Sequence, residues 1–143
     1  MHHIARTMHL AQSPDRVWTI VGDFAGIHRW SPGTPEPLVR PAERGGVTTV
    51  ERVFGAGTPD ELVEQLVSRD DDARTLSYSM PTPPFAITDH VATVRVDADD
   101  EGSLVTWSVR FEGTDEVAAQ LETTLGDGVF QPGLDAIGPA LGA

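Results

Sequence analysis

The sequence predicts an α+β fold, an antiparallel sheet with its helices set apart near the two ends of the chain. Three observations predict it. Strict apolar/polar alternation runs through residues 75–80, 86–97 and 103–112, which is the period of half-buried strands with one wet face. A helix start stands at Ser13-Pro14-Asp15. After Asp115, Val117, Leu121, Leu125 and Val129 make a stripe near helical spacing.

The elements follow in order. Residues 4–10 read as a first strand. Ser13 is then an N-cap, Pro14 takes the first helical position and Asp15 lies in the first turn. Val17, Trp18 and Val21 give this short helix its apolar stripe. A second short helix is expected at 24–30, stopped by Ser31-Pro32-Gly33. The Pro- and Gly-rich stretch that follows reads as loop, with a short edge strand at Leu38-Val39.

Residues 46–54 are β-branched and strand-like. Residues 61–68 fit either strand or helix, and their place between two turns favours strand. Asp70-Asp71-Asp72 reads as a solvated hairpin loop. In the next three strands, Leu76, Tyr78 and Met80 share a face. So do His90, Ala92, Val94 and Val96, and so do Val105, Trp107, Val109 and Phe111. Asp89 falls on the face opposite His90 unless a bulge intervenes. The tail reads as a helix with Gly126, Gly128 and Gly133 in it, kinked near Pro132. A sheet curved around such a helix leaves a cavity between them.

Composition narrows the function. The 143 residues suit one domain, and 39% hydrophobic content suffices for one core. The net charge of -12 argues against nucleic acid and anionic membrane as partners. No apolar run is long enough to span a membrane, and the N-terminus lacks the apolar core of a signal peptide, so a cytoplasmic location is expected. With no cysteine and no lysine, thiolate and Schiff-base mechanisms are excluded. No metal is expected either. His2 and His3 should point to opposite sides of a strand, and no HExxH occurs. GxSxG, P-loop and GxGxxG motifs are also absent.

Three segments carry a family resemblance: SPDRVWTIVGDFAGIHRWSP, LVEQLVSRDDDARTLSYSM and DHVATVRVDADDEGSLVTWSVRF. Together they resemble the START-like, birch-pollen-allergen-like (SRPBCC) superfamily, and within it the small bacterial polyketide cyclase/dehydratase-type proteins. The resemblance implies a helix-grip fold, in which a curved antiparallel sheet wraps a long C-terminal helix around an apolar pocket. It also implies a hydrophobic small-molecule ligand. Members often carry arginine near the position of Thr49 and tyrosine or asparagine near Asp89-His90. This chain has threonine at the first place and Asp-His at the second.

Against that frame, His90, Glu64 and Tyr78 are the candidate catalytic residues. His90 shares a face with apolar neighbours and is the usual acid/base type near neutral pH. Glu64 faces inward if Leu62 and Leu66 do. Val63 and Val67 support the opposite register, and the family likeness tips it inward. A carboxylate among apolar side chains would be shifted toward acid/base work. Tyr78 is the one tyrosine, suited to hydrogen-bond a substrate carbonyl. Trp30, Trp107 and Phe111 are candidate pocket walls, with Met80 beside them. Phe85 is a candidate gate and His28 a candidate for the pocket mouth. Glu51 shares the ambiguity of Glu64. The expected function is a cofactor-independent cyclase or dehydratase of natural-product biosynthesis. The alternative is a non-catalytic carrier of a hydrophobic molecule. Exposed edge strands leave room for a homodimer.

Overall fold

The structure, a computed structural model, describes residues 1–142. Among them, seven strands form one antiparallel sheet: β1 (His2–Leu10), β2 (Leu38–Arg44), β3 (Val47–Phe54), β4 (Leu62–Asp70), β5 (Thr75–Ser79), β6 (Thr88–Asp99) and β7 (Gly102–Glu112). Their spatial order is β1-β7-β6-β5-β4-β3-β2. The sheet curves around the C-terminal helix, which is the helix-grip arrangement the sequence implied. Helix α1 (Pro14–Val21) and a 3₁₀ turn (Phe24–Arg29) fill the link between β1 and β2.

Register sets which side chains face the helix. Leu66 lies opposite Tyr78, Tyr78 opposite Ala92, Ala92 opposite Val109, and Val109 opposite Ile4. This row crosses five strands, and because alternate residues share a face, it fixes the inner face of each. Two bulges adjust the neighbouring rows. In β4 the register shifts between Leu66 and Ser68, leaving Val67 unpaired and exposed. In β6, Asp89 and His90 together stand opposite Phe111. Asp89 takes a left-handed backbone, φ 54°, a conformation that Asp tolerates better than most residues.

The N-cap of α1 forms as expected: the Ser13 hydroxyl accepts from the Arg16 N–H at 3.3 Å. Val17, Trp18 and Val21 are buried. The Asp70–Asp72 cluster lies exposed at the turn between β4 and β5, as expected. Asp70 closes β4, and Asp71 accepts from Trp18 Nε1 at 2.9 Å and from Arg69. These bonds hold the Asp71 carboxyl below its usual range, Trp18 contributing most. The edge strand β2 runs seven residues rather than two and contains Pro41, which an edge tolerates because one side of it needs no donor.

The tail also differs from the expected single kinked helix. It runs as α2 (Asp115–Leu121), a π-helical stretch at Glu122–Phe130, and α3 (Gln131–Ala140). The departure therefore begins ten residues before Pro132. Arg6, on β1, donates to the carboxylates of Glu122 and Asp127 and so ties the wide turns to the sheet. The chain passes so close that a Cβ on Gly126 would meet Arg6 Nη2. Pro132 falls where the π-helical stretch passes into α3.

Gly133 gives a test of this packing. A Cβ there would sit 2.7 Å from the Trp107 ring and 3.3 Å from Trp30. In an open helix Gly→Ala gains up to about 1 kcal/mol. Here overpacking reverses the sign, and Gly133→Ala should cost about 1–3 kcal/mol in urea unfolding. A gain in stability would show that α3 does not seat on Trp107.

Candidate functional site

Between the sheet and the C-terminal helix lies a cavity of ≈ 340 Å³. Its floor comes from the sheet, with Glu64 (β4), Tyr78 (β5), His90 (β6) and Trp107 (β7). Met80, just past β5, and Phe85 come from the segment between β5 and β6. The π-helical stretch supplies Leu125, Val129 and Phe130, and the loop after the 3₁₀ turn supplies Ser31 and Thr34. The wall is mostly apolar, as small-molecule sites are. A dry cavity of roughly 150 Å³ holds benzene, so this one is on the scale of a two-ring molecule.

His90 faces inward by the same alternation as Ala92 and Val94, and the β6 bulge takes up Asp89 beside it. His90 is 5% exposed. Its Nδ1 accepts from the Met80 N–H at 3.3 Å, so the neutral ring carries its proton on Nε2. Burial pushes its pKa down to about 4. At neutral pH the imidazole is uncharged and offers a donor.

Tyr78 is held in a similar way. Its hydroxyl accepts from Trp107 Nε1 at 3.0 Å, and its own proton has no acceptor among the described residues. Burial, and then the charge of Glu64, push the phenol up from its ordinary value. It stays protonated at neutral pH and is a second donor.

Glu64 faces inward, directly opposite Arg52 in the β3–β4 register. Arg52 Nε donates to its Oε1 at 2.8 Å. The carboxylate is therefore not set among apolar groups alone, as the sequence suggested. Its Oε2 has no hydrogen-bond partner among the described residues, and the side chain lines the cavity. Arg52 itself lies behind the wall, 2% exposed. It donates to the Phe24 carbonyl at 2.8 Å, and its guanidinium lies 4.1 Å from the Phe24 ring centroid and 4.7 Å from that of Tyr78.

Four residues expected at the pocket lie elsewhere. Glu51 is on the other side of β3, 3.5 Å from Arg40 on β2, because Arg52 takes the inward position beside it. Phe111 is fully buried and stacks on His2 at 5.5 Å, beyond the end of the cavity. Trp30 supports the wall from behind, with its ring 5.2 Å from that of Trp107. His28 turns toward Glu36, 3.6 Å away. Among the residues the sequence reading did not single out are Arg52, Ser31, Thr34 and the π-helical wall. Arg52 had a signal: it shares strand parity with Val50 and Phe54.

The fold and this site define a helix-grip protein with a mostly apolar cavity between sheet and helix. The chain matches the family described as "Polyketide cyclase / dehydrase and lipid transport" over residues 1–139, and it belongs to that family. It is similar to a Thermobifida fusca protein solved by solution NMR, at 46% identity and TM-score 0.88, over 99% of this chain and 94% of that one. It is also similar to the Bacillus cereus protein XoxI, at 30% identity and TM-score 0.75, over 99% and 96%. The ZhuI aromatase/cyclase from a Streptomyces species shares the fold at 18% identity and TM-score 0.69, over 99% and 93%. No curated protein matches the chain. Among the described residues, no helix is long and apolar enough to cross a membrane.

Burial of His90 has a pH signature. An unfolded histidine titrates near its model value of 6.5, and the folded one near 4. Between these values the unfolded chain binds the extra proton, so stability falls as pH drops through that window. The His90 share should be about 2 kcal/mol between pH 7.5 and 5. Urea unfolding of the native protein and of His90→Gln at both pH values isolates it, since the carboxylates are common to both. An equal pH dependence in the two proteins would show that His90 is not buried neutral.

Proposed function

We propose that this protein is a cofactor-independent cyclase or dehydratase acting on a hydrophobic, polyketide-like small molecule. One observation carries the reading: a carboxylate oxygen and two hydrogen-bond donors, from Glu64, Tyr78 and His90, stand on the wall of one apolar cavity. Enolisation of a ketone needs a base at the α-carbon and donors at the carbonyl oxygen. Glu64 Oε2 takes the α-proton as the C–H bond breaks. Tyr78 O–H and His90 Nε2–H hydrogen-bond the enolate oxygen. The enolate carbon then attacks a second carbonyl carbon of the folded chain. Glu64 returns its proton to the new alkoxide, which becomes a hydroxyl. Loss of that hydroxyl with a further α-proton releases water and leaves a double bond. The cavity supplies the folded pose.

In this scheme His90 acts as a neutral donor, and the proton shuttle is Glu64 alone. Burial keeps the imidazole uncharged, and Nδ1 is already occupied by Met80. Arg52 is a positioning residue, since it holds one carboxylate oxygen and leaves the other to the cavity.

A second reading is a binder or carrier without chemistry. Its support is the transport half of the family description and the charge-pairing of Glu64 by Arg52. The two readings separate on a panel of aryl diketones and poly-β-ketone thioester mimics. Under the enzyme reading, Glu64→Gln lowers turnover by at least about 100-fold. His90→Ala lowers it too, with a loss of ketone affinity because a donor to the carbonyl is removed, while affinity for an unreactive two-ring ketone stays within about 3-fold in Glu64→Gln. Binding by the native protein with no turnover of any panel member would establish the carrier. Turnover that survives both substitutions would remove the catalytic assignment.

A further inference from the structure

We infer that Ser31, braced by Thr34, forms a second oxygen-binding subsite in the cavity, and that it selects ligands carrying an acceptor oxygen away from the Glu64–Tyr78–His90 group. The inference rests on the reading of the cavity as the ligand site but not on any chemistry taking place there.

Ser31 is 4% exposed and lines the cavity. Its backbone is fixed by the turn that ends the 3₁₀ segment: its N–H donates to the Ile27 carbonyl at 3.0 Å, and its carbonyl accepts from the Thr34 N–H at 3.3 Å. The turn brings the two hydroxyls together, and Thr34 Oγ1 donates to Ser31 Oγ at 3.0 Å. A hydroxyl has one proton to give and two lone pairs. The bond from Thr34 uses an acceptor site on Ser31 and leaves the Ser31 proton without an acceptor among the described residues. A buried donor left unmade is costly. The open space beside it is the cavity.

The same device occurs at the sheet. Trp107 donates to Tyr78, and the Met80 N–H donates to His90. In all three places a structural donor occupies the acceptor side of the group, and the remaining proton is directed to the ligand. Ser31 differs in position. It comes from the loop off the sheet, whereas Tyr78 and His90 come from β5 and β6. A ligand using both needs oxygens at two places on its frame. A molecule rich in carbonyls meets this demand, and a plain hydrocarbon or fatty acyl chain does not.

The test is binding of matched ketones, measured calorimetrically or by displacement of a fluorescent probe. One pair is 1-tetralone and 1,4-naphthoquinone. The other is 2-acetylnaphthalene and 2,6-diacetylnaphthalene, which spans a longer distance. The chain has no cysteine and no lysine for the quinone to alkylate. In the native protein the second carbonyl should raise affinity roughly 3- to 10-fold in at least one pair. Ser31→Ala should abolish that gain while leaving the monoketone within about 2-fold. Thr34→Val should keep at least part of it, since the Ser31 proton remains.

Several results would overturn the subsite. One is a native protein that gains nothing from the second carbonyl in either pair. Another is a Ser31→Ala loss equal for mono- and diketone, which marks a packing role. A third is loss of the gain in Thr34→Val but not in Ser31→Ala. If the native protein binds none of the four probes, the ligand-cavity reading fails and the subsite with it. If binding behaves as expected but nothing turns over, only the catalytic reading fails.

Discussion

Trp107 joins three parts of the molecule, and the cavity depends on the join. It is nearly fully buried on β7. Its indole N–H reaches across to Tyr78 on β5, its face stacks on Phe130 of the C-terminal helix at 4.6 Å, and Trp30 packs against it at 5.2 Å. Gly133 lets the helix come down onto the ring. A smaller side chain at this point would let the helix close toward the sheet. A polar one without a partner would leave a buried donor or acceptor unmatched. The indole meets both demands, because it is large and its one donor is used. What remains beside it is space that the protein's own side chains do not fill.

Tyr78, His90 and Ser31 at the wall each accept from another part of the protein, whereas Thr34 gives its proton to Ser31. On the proposed reading the first three turn their remaining protons to the cavity, and Glu64 Oε2 is the charged acceptor. On that reading a ligand's carbonyl oxygens accept from these donors, and a plain hydrocarbon gains nothing from them. Arg52 keeps this arrangement in place from behind the wall. It binds Glu64, the Phe24 carbonyl and the ring faces of Phe24 and Tyr78 at once. The carboxylate lines the cavity and the guanidinium does not.

The fold was easy to read in the sequence where burial is one-sided. In β5 and β7, period-2 alternation leaves little doubt about which residues face inward, and the Ser13 cap of α1 is a local signal that needs no tertiary context. The β3–β4 region was harder, since both parities of residues 61–68 carry apolar side chains. The pairing of Glu64 with Arg52 decides it, and pairing is a contact between strands that no single strand reveals. Glu51 shared that ambiguity, and it resolves outward because Arg52 takes the inward position beside it. The C-terminal helix misled differently. Its apolar stripe was visible, but the wide turns depend on Arg6, more than a hundred residues earlier. The inward side of His90 was legible from its parity with Ala92 and Val94, whereas the β6 bulge at Asp89 shows only in the pairing with β7. Ser31 was read as a helix stop, which it is. Its second part, as a donor, is visible only once Thr34 is seen beside it.

A crystal structure of the protein soaked with 1-tetralone tests the central claim most directly. The account predicts the rings inside the cavity against Trp107, with the carbonyl oxygen within about 3.2 Å of Tyr78 Oη or His90 Nε2. A ketone bound outside the cavity, or held inside it with its oxygen turned away from both donors, would contradict the account.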